Sequence, residues 1–251
     1  MLESLINRFL YYPDPHWMVT PAGLGLEAEQ VLLTPEPGVQ LHAWFFPCSA
    51  PLATLLFCHG NAGNVSHRLE NVAYLLRAGF QVLLFDYRGY GHSGGRPSER
   101  GLYRDAAAAW VHMIERADTA GAPRVIFGRS LGGAVAVELA TRIMADALII
   151  ESTFSSVRAM LCLLFPLPLP APPVKYDSLA KIGQLNAPLL VIHGERDELI
   201  PASEGRALYE AAPEPKAWHL IPGAGHNDTY LAGGESYFRR LAAFVGDLPK
   251  R

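Results

Sequence analysis

Ser130, Asp197 and His226 are the residue types that acyl transfer needs, and each follows an apolar, strand-like run at the start of a polar or glycine-bearing turn. A serine hydroxyl is a poor nucleophile near neutral pH. It needs a base within hydrogen-bond reach, and that base needs an acid to orient it. Ser130 lies in Gly128-Arg129-Ser130-Leu131-Gly132, between the apolar run ending at Phe127 and a small-residue helical pattern. This fits the G-x-S-x-G elbow, in which glycines admit a tight turn and close backbone approach while the serine points off the sheet. Asp197 follows the run Pro188 to Ile192 in His193-Gly194-Glu195-Arg196-Asp197, and His226 follows Ala217 to Ile221 in Pro222-Gly223-Ala224-Gly225-His226.

The pentapeptide alone is weak, and the chain carries a second match at Gly91-His92-Ser93-Gly94-Gly95. There the next residues are Arg96-Pro97-Ser98, where no helix starts directly, so Ser93 lacks the strand-turn-helix context and Ser130 is the expected nucleophile. Glu195, Glu198 and Glu151 are rivals to Asp197 as the acid, and Asp228 is expected to hold its own loop. An oxyanion needs two converging N–H donors. Leu131 supplies one at the start of the elbow helix, and Asn61, in His59-Gly60-Asn61-Ala62-Gly63-Asn64 after another strand, is placed to supply the second. His59 and His193 read as strand-end imidazoles locked by neighbouring backbone. Tyr90, His92 and Arg129 are candidates to line the cleft, and Asn64 to brace its loop.

Positioning these groups requires a sheet whose strands share one carboxyl edge. Glu29 to Thr34 and Gln40 to Phe46 alternate and are joined by Pro35-Glu36-Pro37-Gly38, which predicts an antiparallel hairpin at a sheet edge. Ala53 to Cys58, Gln81 to Phe85, the elbow strand, Ala147 to Ile150, Pro188 to Ile192 and Ala217 to Ile221 are apolar without strict alternation. Helical patterns separate them, near Ser66 to Arg77, Leu102 to Ala117, Ala202 to Ala211 and Tyr230 to Phe244. This is the signature of a parallel sheet covered on both faces. Ser152 to Leu185 breaks the rhythm: Met160-Leu161-Cys162-Leu163-Leu164-Phe165 runs into Pro166, Pro168, Pro170, Pro172 and Pro173. The expected result is a short apolar cap, residues 152–185, over the carboxyl edge where ligands of open α/β sheets bind.

The 251 residues fit one α/β domain, long enough to bury about 70–75% of the unfolded surface. The net charge of −3 offers no basic stripe for nucleic acid, and no cluster of arginines points to a phosphorylated substrate. The cysteines, Cys48, Cys58 and Cys162, have no zinc-type spacing, so no metal or cofactor is expected. Cys58 and Cys162 read as small buried hydrophobes. Leu2, Leu5, Ile6, Phe9 and Leu10 recur at helical spacing in an N-terminal amphipathic segment, residues 1–18, which has neither the apolar core of a secretion signal nor the length to span a bilayer. Packing on the protein is its expected use, with peripheral membrane contact the alternative. A reducing, cytoplasmic setting is expected, and oligomeric state stays open.

Together these stretches resemble the α/β-hydrolase superfamily over about Glu29 to Val245. Five motifs in order carry a narrower resemblance, to the Bem46-type hydrolases: His59-Gly60-Asn61-Ala62-Gly63-Asn64, Phe85-Asp86-Tyr87-Arg88-Gly89-Tyr90-Gly91, Gly128-Arg129-Ser130-Leu131-Gly132-Gly133, His193-Gly194-Glu195-Arg196-Asp197 and Gly223-Ala224-Gly225-His226-Asn227-Asp228. The resemblance implies an eight-stranded, mostly parallel sheet and a triad at Ser130, Asp197 and His226. Many such proteins carry a membrane anchor or palmitoylated cysteines near the start, and this chain shows neither pattern there. The expected activity is cleavage of acyl esters or thioesters, with a hydrophobic acyl chain suggested by the cap. The competing reading is a small-molecule binding or signalling protein on the same fold, against which stand three triad positions and an oxyanion loop in one chain.

Overall fold

The computed structural model describes residues 10–164 and 174–248. Half of the expected N-terminal segment, residues 1–9, together with Phe165 and the five cap prolines, lies outside the described residues.

Eight strands form one sheet: β1 (Glu29–Glu36), β2 (Val39–Phe46), β3 (Ala53–Cys58), β4 (Phe80–Phe85), β5 (Arg124–Arg129), β6 (Ala147–Glu151), β7 (Leu189–Gly194) and β8 (Lys216–Ile221). Their spatial order is β8-β7-β6-β5-β3-β4-β2-β1. β1 and β2 form the antiparallel edge hairpin that the Pro-Glu-Pro-Gly turn predicts, β2 runs antiparallel to β4, and every other pairing is parallel.

The interior strands are apolar throughout because each of their faces is covered. Leu56, Ile126, Leu148, Ile150 and Val191 point into one core, against α2 (Glu99–Glu115), α3 (Leu131–Ala140) and α6 (Ala202–Ala211). Phe57, Phe127, Ile149 and Ile192 point into the other, against α1 (Leu69–Arg77) and α7 (Thr229–Gly246). The alternation of one strand between two cores is the period-2 pattern hidden inside a continuous apolar run.

Three boundaries differ from the sequence reading for physical reasons. α2 starts at Glu99, earlier than the apolar pattern, because the Ser98 side chain accepts a hydrogen bond from the Gly101 N–H at 3.1 Å and caps it. α1 is preceded by a separate 3-10 turn, Val65–Arg68, capped by Asn64. α7 is kinked at Gly234, which adopts φ 50°. Within the expected cap, α4 (Val157–Leu164) precedes residues 165–173 and α5 (Leu179–Ile182) follows them. Cys58 is buried as expected, but Cys162 is exposed. The apolar run is a helix that turns only some of its positions toward the body, so it is not a buried strand.

The order of strands fixes where chemistry can occur. β3 and β5 are neighbours, while the chain leaves β3 for β4 on one side and returns to β5 on the other. Between them lies the switch point at which open α/β sheets bind ligands. The pairing of Cys58 with Gly128 sets the His59-Gly60-Asn61 loop beside Arg129 and Ser130.

Candidate active site

Ser130 stands between β5 and α3 at φ 53°, ψ −122°, a conformation that non-glycine residues rarely adopt. The surroundings force it. The Ser130 N–H donates to the Glu151 carbonyl at 2.9 Å, and its own carbonyl accepts from the Gly133 N–H at 2.9 Å and the Thr153 hydroxyl at 2.7 Å. A Cβ on Gly128 would overlap the Gly132 carbonyl, and one on Gly132 would overlap the Cys58 carbonyl. Both glycines are therefore demanded by close approach. The decoy Ser93 is buried in a structural role: its hydroxyl accepts from the His42 N–H at 2.9 Å and donates to the Asp86 carbonyl at 3.0 Å.

His226 comes from the loop after β8, three strands away from β5, a separation of about 14 Å at the usual strand spacing. The loop spans it. Arg196 N–H donates to the Ala224 carbonyl at 2.8 Å, and Gly225 N–H donates to the Asp228 carboxylate at 2.7 Å, so Asp228 holds its own loop. At the far end the Arg129 guanidinium donates to the His226 carbonyl at 2.9 Å. His226 Nε2 then lies 3.1 Å from Ser130 Oγ, and its Nδ1 lies 2.8 Å from Asp197 Oδ2. With Nδ1 donating to the carboxylate, Nε2 is left to accept the serine proton.

Asp197 is locked by its turn. Its Oδ1 accepts from Leu199 N–H at 3.0 Å and Ile200 N–H at 2.8 Å. Burial pushes the carboxyl pKa up, but hydrogen bonds from His193, His226 and the Ile200 N–H outweigh that and hold it well below the usual carboxylate range. It stays charged opposite the imidazole. Glu151, the rival acid at the end of β6, is engaged elsewhere: it pairs with Arg129 Nε at 3.2 Å and accepts from the Thr229 hydroxyl at 2.5 Å and from the Tyr237 hydroxyl.

The loop after β3 runs against the elbow, where a Cβ on Gly60 would lie 3.4 Å from Ser130 Cβ. The Asn61 side chain accepts from the Tyr90 hydroxyl at 2.7 Å and the Tyr12 N–H at 3.3 Å, and donates to the Leu10 carbonyl at 2.7 Å. Its backbone N–H and that of Leu131 have no acceptor among the described residues. Asn64 braces the same loop by donating to the carbonyls of Asp14 at 2.9 Å and His16 at 2.7 Å. His59 is buried with Nδ1 2.7 Å from the Gly60 carbonyl, the locked strand-end imidazole expected of it. No cluster of metal-ligating side chains occurs among the described residues.

The sequence brings forward the three side chains, the loop and its Asn64 brace, but not the supporting contacts that Arg129, Glu151 and His193 make in the fold. Arg129 and Glu151 carried a signal, being charged residues that close two adjacent buried strands. His193 stands four positions before Asp197, a spacing that only the turn Gly194 to Asp197 converts into proximity.

Residues 49–175 match the hydrolase family described as serine aminopeptidase, S33. The α/β hydrolase domain-containing protein WAV2 of Arabidopsis thaliana is 37% identical, with 98% of this chain and 89% of that protein covered. Protein bem46 of Schizosaccharomyces pombe is 34% identical over 91% of this chain and 80% of its own length. The chain is a Bem46-like α/β hydrolase. Its fold is that of the solved Pyrococcus furiosus esterase Pf2001, which superposes with a TM-score of 0.77 at 22% identity and covers 95% of this chain and 98% of that one. Among its described residues, no helix of this Bem46-like hydrolase is long and apolar enough to cross a membrane.

Proposed function

We propose that this Bem46-like protein is a serine hydrolase that cleaves acyl esters or thioesters through an acyl-enzyme. The observation that carries the reading is the continuous hydrogen-bonded chain from Asp197 through His226 to Ser130, at 2.8 and 3.1 Å. In the first half-reaction Ser130 Oγ bonds to the acyl carbon as its proton passes to His226 Nε2. The tetrahedral oxyanion accepts from the Asn61 and Leu131 N–H groups. The bond to the alcohol or thiol then breaks, and that leaving group departs with the proton from His226. Water repeats the sequence, giving its proton to His226 and its oxygen to the acyl carbon, and Ser130 leaves reprotonated. Asp197 stays ionised and stabilises the imidazolium. No step calls for a metal or an organic cofactor.

A hydrophobic acyl chain is the substrate that exposed apolar side chains after β6 and β7 would suit: Leu163 on α4 is exposed, and so is Leu199 in the Asp197 turn. A fluorophosphonate probe tests the nucleophile directly. The folded protein should be labelled at Ser130 and should hydrolyse p-nitrophenyl esters, with a chain-length preference that Leu163→Ala alters. Absence of labelling at Ser130 would refute the assignment, and an unchanged preference in Leu163→Ala would remove α4 from the acyl site.

A further inference from the structure

An N–H group carried by a loop can hold an oxyanion only if the loop keeps it still, because donors in that role must be preorganised to within about 0.5 Å. The Gly60-Asn61 peptide lies against the nucleophile, since a Cβ on Gly60 would stand 4.0 Å from Ser130 Oγ. His59 fixes one end of that peptide. Its Nδ1 lies 2.7 Å from the Gly60 carbonyl, which only accepts, so the ring donates. The peptide is trans, and its N–H therefore points the opposite way, away from the carbonyl that His59 holds.

The other end is fixed through the Asn61 side chain. Tyr90, a candidate from the sequence to line the cleft, is fully buried, and its hydroxyl donates to Asn61 Oδ1 at 2.7 Å. The Tyr12 N–H donates to the same oxygen at 3.3 Å, and Asn61 Nδ2 donates to the Leu10 carbonyl at 2.7 Å. Three of the four hydrogen-bonding positions of this amide are thus filled by segments distant in sequence. Asn64 shows the more local use of a loop asparagine, its Oδ1 accepting from the Ser66 N–H two residues on, at 2.9 Å. Asn61 is instead tied to a strap: Tyr12 and Pro13 pair in parallel with Ala62 and Gly63, and the Asp14 N–H donates to the Gly63 carbonyl at 3.1 Å. The Tyr90 ring meets those of His59 and Tyr87 edge-on, at 5.5 and 5.7 Å between centroids, so the hydroxyl that reaches Asn61 stands on a packed base.

We propose that Tyr90 is a positioning residue for the oxyanion hole: its hydroxyl, together with the strap of residues 10–12, holds the Asn61 side chain so that the Asn61 backbone N–H meets the oxygen of the tetrahedral intermediate. The proposal rests on the serine-hydrolase reading. Tyr90 acts through Asn61 and touches no reacting atom.

Two esters test it with the full chain: p-nitrophenyl butyrate and its thiono analogue, whose sulfur replaces the carbonyl oxygen and accepts only weakly from N–H groups. Tyr90→Phe keeps the ring and removes the hydroxyl, while Asn61→Ala keeps the backbone N–H and removes the side chain. Each should lower kcat/KM for the oxygen ester by about 10- to 100-fold with KM within about threefold, less than the roughly 10²–10³-fold that loss of a whole donor costs. On the thionoester the loss should be about threefold at most. The double variant should fall no more than about threefold below the poorer single variant, because both act through one hydrogen bond. Equal losses on the two esters, no loss on either, or losses that multiply in the double variant would overturn the proposal. Should wild type turn over the thionoester too slowly to rank the variants, butyl trifluoromethyl ketone replaces it. Its hemiketal oxyanion should be held more weakly by the factor lost in kcat/KM, and unchanged inhibition would overturn the proposal. If Tyr90→Phe does not fold, the Asn61→Ala ratios decide. Fluorophosphonate labelling separates the two readings: a labelled wild type leaves the hydrolase standing whatever the ester ratios show, and a wild type that is not labelled defeats the hydrolase and this proposal with it.

Discussion

His193 Nε2 lies 3.4 Å from Asp197 Oδ2, the same oxygen that receives His226, and 2.9 Å from the Ile200 carbonyl. Because a carbonyl only accepts, Nε2 carries the proton, and the His193 ring offers it to both oxygens. His193 thus helps to fix the carboxylate oxygen that receives His226. His193→Phe keeps the ring volume and removes the donor. Hydrogen bonds to charged groups contribute about 1.5–3 kcal/mol, so kcat should fall roughly 10- to 100-fold with KM little changed. A change in KM alone, at constant kcat, would show that the ring serves packing only.

The depressed Asp197 pKa also has a consequence for stability. In the unfolded chain the carboxyl titrates near the ordinary value of about 3.9, and in the fold it titrates lower, so between those values the unfolded state binds more protons. Its contribution is complete above about pH 4 to 5 and is lost as pH falls through the folded value. Urea unfolding of wild type and Asp197→Asn should show a stability gap that is flat near neutrality and narrows only in acid. The same variant should lose about 10⁴-fold in turnover, the cost of holding the wrong imidazole tautomer. A gap that widened toward low pH would contradict the assignment.

What the sequence makes legible follows from the range of the physics involved. Strands β3 to β8 are readable because an apolar run bounded by glycine and polar residues is local information, and the Ser130 elbow is readable because strand, turn and helix are contiguous. The contacts that hold the site together are not local. Arg129 meets the His226 carbonyl across two intervening strands, and Glu151 meets Thr229 and Tyr237 only once α7 has packed. Cys162 shows the opposite limit, since an apolar run does not say which of its positions faces inward.

The two serine motifs make a paired test. Ser93→Ala removes a hydroxyl that bridges His42 N–H and the Asp86 carbonyl, both buried, and should cost about 1–3 kcal/mol of stability while fluorophosphonate labelling persists. Ser130→Ala should leave the unfolding midpoint near or above wild type, because it relieves no packing and removes only an exposed-edge hydroxyl. It should reduce turnover by roughly 10⁶-fold. Thermal melts and labelling of both variants check this, and labelling lost in Ser93→Ala without unfolding would reverse the roles.

Glu151 is fully buried and balances Arg129, which is 5% exposed. Glu151→Ala leaves that guanidinium enclosed without its carboxylate, a change that costs about 3–5 kcal/mol in buried pairs. Thr229 and Tyr237 lose their acceptor together, so the start of α7 loosens and the His226 loop with it. Glu151→Gln keeps the shape and one acceptor oxygen, enough for Arg129 Nε and the Thr229 hydroxyl, while its NH2 faces the Tyr237 hydroxyl and donates to it, so it should lose less stability than Glu151→Ala. Denaturant unfolding orders the two, and kcat should fall in the same order. An Ala variant as stable as wild type would mean that Arg129 finds a new partner.

His59 gives the fold a pH-dependence in the mildly acidic range. Burial pushes its pKa down to about 3, and the nearby charges of Arg68 and His67 act in the same direction, while its bond to the Gly60 carbonyl acts against them. Asp86 Oδ1 lies 3.6 Å from its Nε2, but that carboxyl is itself pushed up by burial. In the unfolded chain the imidazole titrates near 6.5, so between about pH 6.5 and 3 the unfolded state binds one proton more and stability declines as pH falls. The slope owed to one proton is about 1.4 kcal/mol per pH unit. Asp86 gives the opposite sign above its unfolded value, since its raised pKa weakens the fold as pH rises past that value, and its slope is common to wild type and variant. His59→Leu should therefore flatten the stability profile between about pH 4 and 6 by nearly the whole one-proton slope, measured by urea unfolding across that window. An equal slope in wild type and variant would mean that the imidazole is protonated inside the fold, and then the Gly60 carbonyl and the Asp86 carboxylate together must hold a buried cation beside the Asn61 loop.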